Sequence, residues 1–229
     1  MGQLYSSSSH SPLAETHAAL LDESIASTEA LGDLLAPVTL STAFATDGLS
    51  RQLEQVARVI GTRASLQEER QVFYVSLGGF DTHSSELEAV QEKLSQVNSA
   101  LTSFVDEMKA QGVWDQTAIL TASDFGRTLG SNGAGTDHAW GGHYFLLSGD
   151  LAGGKVLGRY PSHLDESSDV NIGRNHRMLP TTAWEMIWYG LSEWFGADVA
   201  NKLNELLPNA ANFPVDERLT AAQLFKSEK

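Results

Sequence analysis

The stretch QVFYVSLGGFDTHS, residues 71–84, carries the strongest structural signal in the chain. Its first part, QVFYVSL, is almost entirely apolar or β-branched, which is typical of a strand buried on both faces, as in a parallel sheet. The pair Gly78 and Gly79 then ends the strand, and a polar turn with Asp81 and His83 follows. The stretch therefore predicts a buried strand with polar side chains at its carboxyl end.

A long amphipathic helix is predicted directly after this turn. Its apolar side chains recur at alternating spacings of three and four along one helical face: Leu87, Val90, Leu94, Val97, Leu101, Phe104 and Met108. Ser85 and Glu88 have the spacing of a capping box, and TAILTA at 117–122 predicts the next strand. Such a unit forms a right-handed parallel crossover, so the carboxyl ends of both strands are expected at one ligand-binding edge of the sheet.

Residue types that ligate metals follow both predicted strands. Asp81 and His83 follow the first strand and Asp124 the second, while His138 and His143 lie in the glycine-rich loop LGSNGAGTDHAWGGH. If the following segment YFLLS runs antiparallel to TAILTA, this loop returns to the same edge. Carboxylates and imidazoles are the ligands that proteins offer zinc, manganese and iron. Turn or helix capping by the two aspartates is the structural alternative.

Two neighbouring residues have candidate supporting roles. Arg127 lies close after Asp124 and is suited to pair with a tetrahedral anion such as phosphate or sulfate. A structural ion pair is an equal alternative for this arginine. Asp137 precedes His138 and is suited to orient its imidazole.

Composition limits the class of protein. With 29 acidic and 15 basic residues, the net charge of −14 opposes binding to nucleic acid and to anionic membranes. The absence of cysteine excludes disulfides, thiolate nucleophiles and zinc fingers. There is no apolar run of membrane-spanning length and no signal-peptide layout. A cytoplasmic protein and an exported precursor that has been trimmed both fit these features.

The order of the motifs resembles the DUF1501 family. VSLGGFDTHS, a long helix, TASDFGRT and GTDHAWGGH follow one another as in that family, and RMLPTTAWEMIWYGLSEWFG and LPNAANF resemble its C-terminal pattern. The family is related to the alkaline-phosphatase-like superfamily of phosphatases and sulfatases. The resemblance implies an α/β fold, a three-layer αβα sandwich with a mostly parallel sheet. It also implies a metal site at the strand ends, formed by Asp81, His83, Asp124 and His138.

One domain is predicted over residues 1–229. It comprises a loose polar start at 1–12, a helical part at 13–70 and a core at 71–215 that carries the family motifs. Within the helical part, apolar spacing predicts helices at 13–35 and 48–61.

The chain departs from the superfamily pattern in two ways. Superfamily members usually have Asp-His after the second strand, whereas Phe125 follows Asp124 here. The early strand that carries the first metal-binding Asp and the Ser or Thr nucleophile has no counterpart, so the chain resembles a core without its N-terminal part. Ser76, Ser84 and Ser123 lie near the predicted edge, but none is assignable as the nucleophile.

The expected function is metal-dependent hydrolysis of phosphate or sulfate esters. A divalent ion (zinc, manganese, calcium or magnesium) would be the cofactor and a small anionic ester the substrate, with His143 and Arg127 as catalytic residues. By resemblance, the protein is expected to be exported to the periplasm. The alternative is a non-catalytic exported binding or assembly protein that keeps the fold and a structural metal. A third hypothesis is a scaffold whose Asp and His residues only cap turns.

Overall fold

Helices dominate the computed structural model, which describes residues 11–226. The α-helices are α1 (Pro12–Leu35), α2 (Gly48–Gly61), α3 (Arg63–Leu66), α4 (Glu86–Ala110), α5 (Trp184–Trp194), α6 (Leu203–Leu206) and α7 (Ala221–Leu224). The strands are β1 (Ala118–Leu120), β2 (Gly126–Ser131), β3 (Thr136–Ala139) and β4 (Leu146–Ser148). Short 3₁₀ turns lie at Trp114–Gln116, Ala210–Asn212 and Val215–Glu217. No helix among the described residues is long and apolar enough to cross a membrane.

The helices predicted from apolar spacing at 13–35 and 48–61, and the long one after the GGFDTHS turn, are confirmed as α1, α2 and α4. The predicted capping box at the start of α4 does not form, because Ser85 adopts a left-handed conformation (φ 49°) and its side chain caps no backbone group. The predicted loose start of the chain falls mostly on residues 1–10, outside the described part. Within the described part, α1 already begins at Pro12.

The main core lies between α2 and α4. Its buried apolar side chains are Leu49, Leu53, Ala57, Ala100, Phe104, Met108 and Val113. Each large side chain buried in this way contributes about 1.5–3 kcal/mol. Helix α1, by contrast, buries no residue, so the α2–α4 pair rather than α1 anchors the helical part.

Asp47 fixes the start of α2 and links it to α4. Its carboxylate accepts hydrogen bonds from the backbone N–H groups of Leu49 (3.1 Å) and Ser50 (3.0 Å), as an N-cap does. It also accepts one from the side-chain amide of Gln96 on α4, at 2.7 Å. The Gln96 and Ser50 hydrogen bonds hold the pKa of Asp47 well below its ordinary value.

Glu107 is a carboxylate buried in this core, with 1% of the residue exposed. It accepts hydrogen bonds from the backbone N–H of Thr42 (2.8 Å) and the side-chain amide of Gln111 (2.9 Å). Burial acts to raise the pKa of Glu107, but hydrogen bonds from Gln111, Thr42 and Ser41 outweigh it, so the pKa lies below the ordinary value. The charged form therefore stabilises the fold.

Substituting Glu107→Ala should lower the free energy of unfolding by about 3 kcal/mol at pH 7, because two part-buried donors lose a buried, charged acceptor. The folded-state pKa is lowered, so this stabilisation is present above the unfolded pKa of about 4.3 and is lost as the pH falls through the folded value. Urea unfolding at neutral and acidic pH measures both effects. Glu54→Ala is the control, since Glu54 forms a part-exposed ion pair on α2 worth about 1 kcal/mol or less. An equal loss in the two variants would contradict the prediction.

Residues 71–77, predicted as a doubly buried strand, form no strand in the structure. Val75 and Leu77 pack partly buried against the α2–α4 core, while Val72 and Tyr74 are 82% and 93% exposed. The main chain of Ser76 is bound by the side-chain amide of Gln52, through hydrogen bonds of 2.9 and 3.0 Å. This segment therefore packs one of its faces against the core and leaves the other face exposed.

Both sheets of the described chain are two-stranded and antiparallel. Strand β1 pairs with β4, which confirms the predicted TAILTA strand and its antiparallel YFLLS partner over shorter spans. Strands β2 and β3 form a second pair that overlaps the glycine-rich segment predicted as a loop. The architecture is α/β with small sheets. The predicted three-layer fold with a parallel sheet is not found in residues 11–226, because residues 71–77 do not pair with β1 and so no parallel crossover forms.

Candidate metal centre

Three of the predicted ligands meet at one point. The Oδ1 atom of Asp81 lies 2.7 Å from Nε2 of His138 and 2.9 Å from Nε2 of His83. The potential ligand atoms of these three residues lie within 4.8 Å of one another. One carboxylate oxygen and two imidazole nitrogens form a set of donors that suits a transition metal ion.

The β2–β3 hairpin positions His138. Arg127 of β2 lies opposite His138 of β3 in the strand register. The turn is closed by Asn132, whose side-chain oxygen accepts hydrogen bonds from the backbone of Ala134 (3.0 Å) and Gly135 (2.9 Å). Gly133 adopts φ 101°, a conformation that favours glycine. The glycine-rich sequence therefore folds into a tight hairpin, which carries His138 to the loop of Asp81 and His83.

The site is open to solvent. The side chains of Asp81, His83 and His138 are 63%, 57% and 44% exposed. Two shallow clefts of about 340 and 570 Å³ lie elsewhere, between residues 44 and 55 and between residues 193 and 222. The three donors thus sit on the surface, where solutes reach them directly.

Charge and hydrogen bonding favour the ionised form of Asp81. The hydrogen bond from His138, supported by the charges of His138 and His83, lowers the pKa of Asp81. Asp137 has a lowered pKa as well, chiefly through a hydrogen bond from the Asn132 side chain (3.0 Å). The predicted role of Asp137 in orienting His138 is not what its contacts show, since its carboxylate accepts hydrogen bonds from the side chains of Asn132 and Asn175.

Asp124 and His143 lie outside this group of three. The negative charge of Asp124 acts on Tyr144 instead. Burial and this charge together raise the pKa of the Tyr144 hydroxyl. The ring of His143 stacks on Tyr160 with centroids 5.5 Å apart. The structure therefore brings together three of the four predicted metal ligands, and it places the predicted acid–base histidine beside a tyrosine.

Arg127, predicted to bind an anion, is engaged by the protein itself. Its guanidinium donates to the carbonyl oxygens of Thr136 (2.7 Å) and Phe80 (2.5 Å), and its Nε lies 3.8 Å from the Glu86 carboxylate. Glu86 also accepts a hydrogen bond from the hydroxyl of Thr136 at 2.7 Å. These contacts match the structural alternative for Arg127 more closely than the catalytic one.

Glu86 and Thr136 were not predicted as part of the site, and their signal in the sequence is weak. An acidic residue in the first turn of a helix is ordinary, and a threonine before Asp137 is unremarkable in a polar turn. In the sequence, Phe125 stands out only because superfamily members usually have a histidine at this position. In the structure its ring stacks on His138, with centroids 4.1 Å apart and planes 11° apart.

Comparison with curated proteins found no match, and comparison with solved structures found none either. A sequence model of the proteins of unknown function called DUF1501 matches residues 13–179. The matched range begins within helix α1 and ends at Leu179, so most of the C-terminal motifs lie beyond it. Because the match spans more than half of the 229 residues, the chain belongs to the DUF1501 family.

Proposed function

We propose that the chain binds a divalent transition metal ion through Asp81, His83 and His138, and that it hydrolyses phosphate or sulfate esters at this site. The observation that supports the proposal is the convergence of two imidazole nitrogens on one carboxylate oxygen. Imidazole ligands suit zinc and manganese, whereas calcium and magnesium prefer oxygen. Zinc and manganese are therefore the favoured ions among the four expected from the sequence.

The number and exposure of the donors favour a catalytic site over a purely structural one. Structural zinc sites use four protein ligands, whereas catalytic sites use three and keep a position open. When bound, the ion would supply Lewis-acid chemistry, lowering the pKa of water and polarising an ester oxygen. Asp81, His83 and His138 would hold it on one side, and their exposed surface leaves the other side to water and substrate.

Membership of the alkaline-phosphatase-like superfamily and an exported, periplasmic location are part of the same proposal. Both rest on the order of the sequence motifs. The substrate class, small phosphate or sulfate esters, has the same basis.

A second function, metal binding without catalysis, is favoured by one observation. The guanidinium of Arg127 is engaged by two carbonyl groups and Glu86, so the arginine expected to bind the substrate anion is already bound within the protein. A substrate anion would then need another recognition group. An exported binding or assembly protein with a single metal needs no recognition group for a substrate anion.

Metal analysis of the purified chain, followed by assays with aryl phosphate and aryl sulfate, separates these functions. We expect about one equivalent of zinc or manganese per chain, and turnover that a chelator abolishes and the ion restores. Metal without turnover would favour the binding protein. A chain that takes up neither ion at neutral pH would contradict both functions.

A further inference from the structure

Four planar groups form a continuous series of stacking contacts at the candidate site. The ring of His138 stacks on both the Phe125 ring and the His83 ring, at centroid distances of 4.1 and 5.3 Å. The guanidinium carbon of Arg127 lies 5.3 Å from the centroid of the Phe125 ring. Two of these groups are candidate ligands, and the other two have no ligand role in the proposed function.

Phe125 restricts the orientation of His138. Its ring is nearly parallel to the imidazole, with 11° between the planes, so rotation of the imidazole would break the contact between the faces. In the observed orientation, Nε2 of His138 points at Oδ1 of Asp81, 2.7 Å away. The phenylalanine thus selects the orientation in which the imidazole joins the other donors.

Arg127 fixes the backbone on both sides of the same site. One guanidinium nitrogen donates to the carbonyl of Phe80, the residue before Asp81, and another donates to the carbonyl of Thr136, two residues before His138. The two ligand-bearing segments are far apart in sequence, and this side chain bridges them. Arginine suits the task because its planar fork serves two acceptors at once, which a lysine ammonium does less well.

The supporting groups are less exposed than the ligands. The side chains of Arg127 and Glu86 are 21% and 20% exposed, against 44% for His138 and 63% for Asp81. Glu86, at the start of α4, receives the Thr136 hydroxyl and lies beside Arg127. The site therefore has an open ligand face and a more enclosed supporting face.

We infer that Phe125 and Arg127 are positioning residues that pre-arrange Asp81 and His138 for a metal ion. The inference rests on the proposed metal site and assigns the arginine to support of the ligands instead of to the substrate anion. Groups that orient ligands in this way typically change metal affinity by about 10–100-fold when they are lost.

Zinc titration of the full chain against a competing chelator tests the inference. Phe125→Leu should weaken zinc binding by about 10–100-fold, while Phe125→Tyr, which keeps the ring, should bind like the wild type. Arg127→Gln should weaken binding to a similar extent, and Arg127→Lys should restore only part of it. Arg218→Gln is the matched control, because Arg218 lies over the Tyr189 ring at 5.2 Å, outside the stack, and should leave affinity unchanged.

A second measurement separates positioning from general stability. The ring protons of His138 should lose their ring-current shift in Phe125→Leu and keep it in Phe125→Tyr, with thermal unfolding recorded for every variant. Wild-type affinity in both Phe125→Leu and Arg127→Gln would overturn this inference alone, and so would their unfolding while Arg218→Gln stays folded. A wild-type chain that binds no zinc would overturn the metal proposal and this inference with it.

Discussion

His138→Ala is expected to weaken zinc binding by about two to three orders of magnitude, because it removes one of only three donors. His138 makes the shorter contact with Asp81, at 2.7 Å, and is the only one of the three that comes from the β2–β3 hairpin. Its loss leaves Asp81 and His83, two donors from one loop. Calorimetry or chelator competition at neutral pH measures the change, and turnover, if the wild type shows it, should fall in parallel.

Two controls distinguish this site from the one that the sequence predicted. Asp124→Asn and His143→Ala remove the candidate residues that lie outside the group of three, and both are expected to keep wild-type zinc affinity. Neither variant should unfold the chain, since Asp124 is exposed and His143 is not buried. A loss in Asp124→Asn as large as that in His138→Ala would mean that the four-ligand site expected from the sequence is the correct one.

The three candidate ligands that meet in the structure were predictable because their signal is local. Asp81 and His83 flank a single residue in a polar turn, and His138 lies in a short glycine-rich segment. Residue type and turn composition can be interpreted from one sequence. Helices α2 and α4 were predictable for a related reason, since the spacing of apolar side chains along one face is also a local property.

Asp124 was expected at the site for a reason that was not local. Its placement depended on parallel pairing between residues 71–77 and β1, which would bring the ends of both segments to one edge. In the structure residues 71–77 pair with no strand, and that reason no longer applies. An apolar run shows that a segment is suited to burial, but its partner is fixed by distant parts of the chain.

The contacts of Arg127 were not predictable from the sequence, for a different physical reason. Its partners are the carbonyl oxygens of Phe80 and Thr136, and every residue carries a carbonyl group. A pattern of side chains therefore gives no indication of which main-chain acceptors an arginine meets. The same holds for Phe125, whose stacking on His138 depends on the hairpin that brings the two rings together.

Gly126→Ala is expected to disrupt both the hairpin and the metal site. A Cβ atom at this position would lie 2.1 Å from the carbonyl oxygen of Gly141 and 2.8 Å from its carbonyl carbon. These are backbone atoms, so no side-chain rotation relieves the clash. The first residue of β2 pairs with Ala139, next to His138, and a shift of the strand therefore moves a candidate ligand.

The expected result is a loss of about 2–3 kcal/mol in the free energy of unfolding, as for an overpacked site, together with a loss of zinc affinity of about 10-fold or more. Gly78→Ala is the matched control, since Gly78 lies in the loop just before Asp81 and an added Cβ would meet nothing within 4 Å. Denaturant unfolding and zinc titration of both variants give the comparison.

Equal stability and equal affinity in the two variants would contradict the close approach of β2 to Gly141. They would also show that other contacts hold His138. A Gly126→Ala chain that is destabilised yet binds zinc normally would place the support of His138 in Phe125 and Arg127 alone.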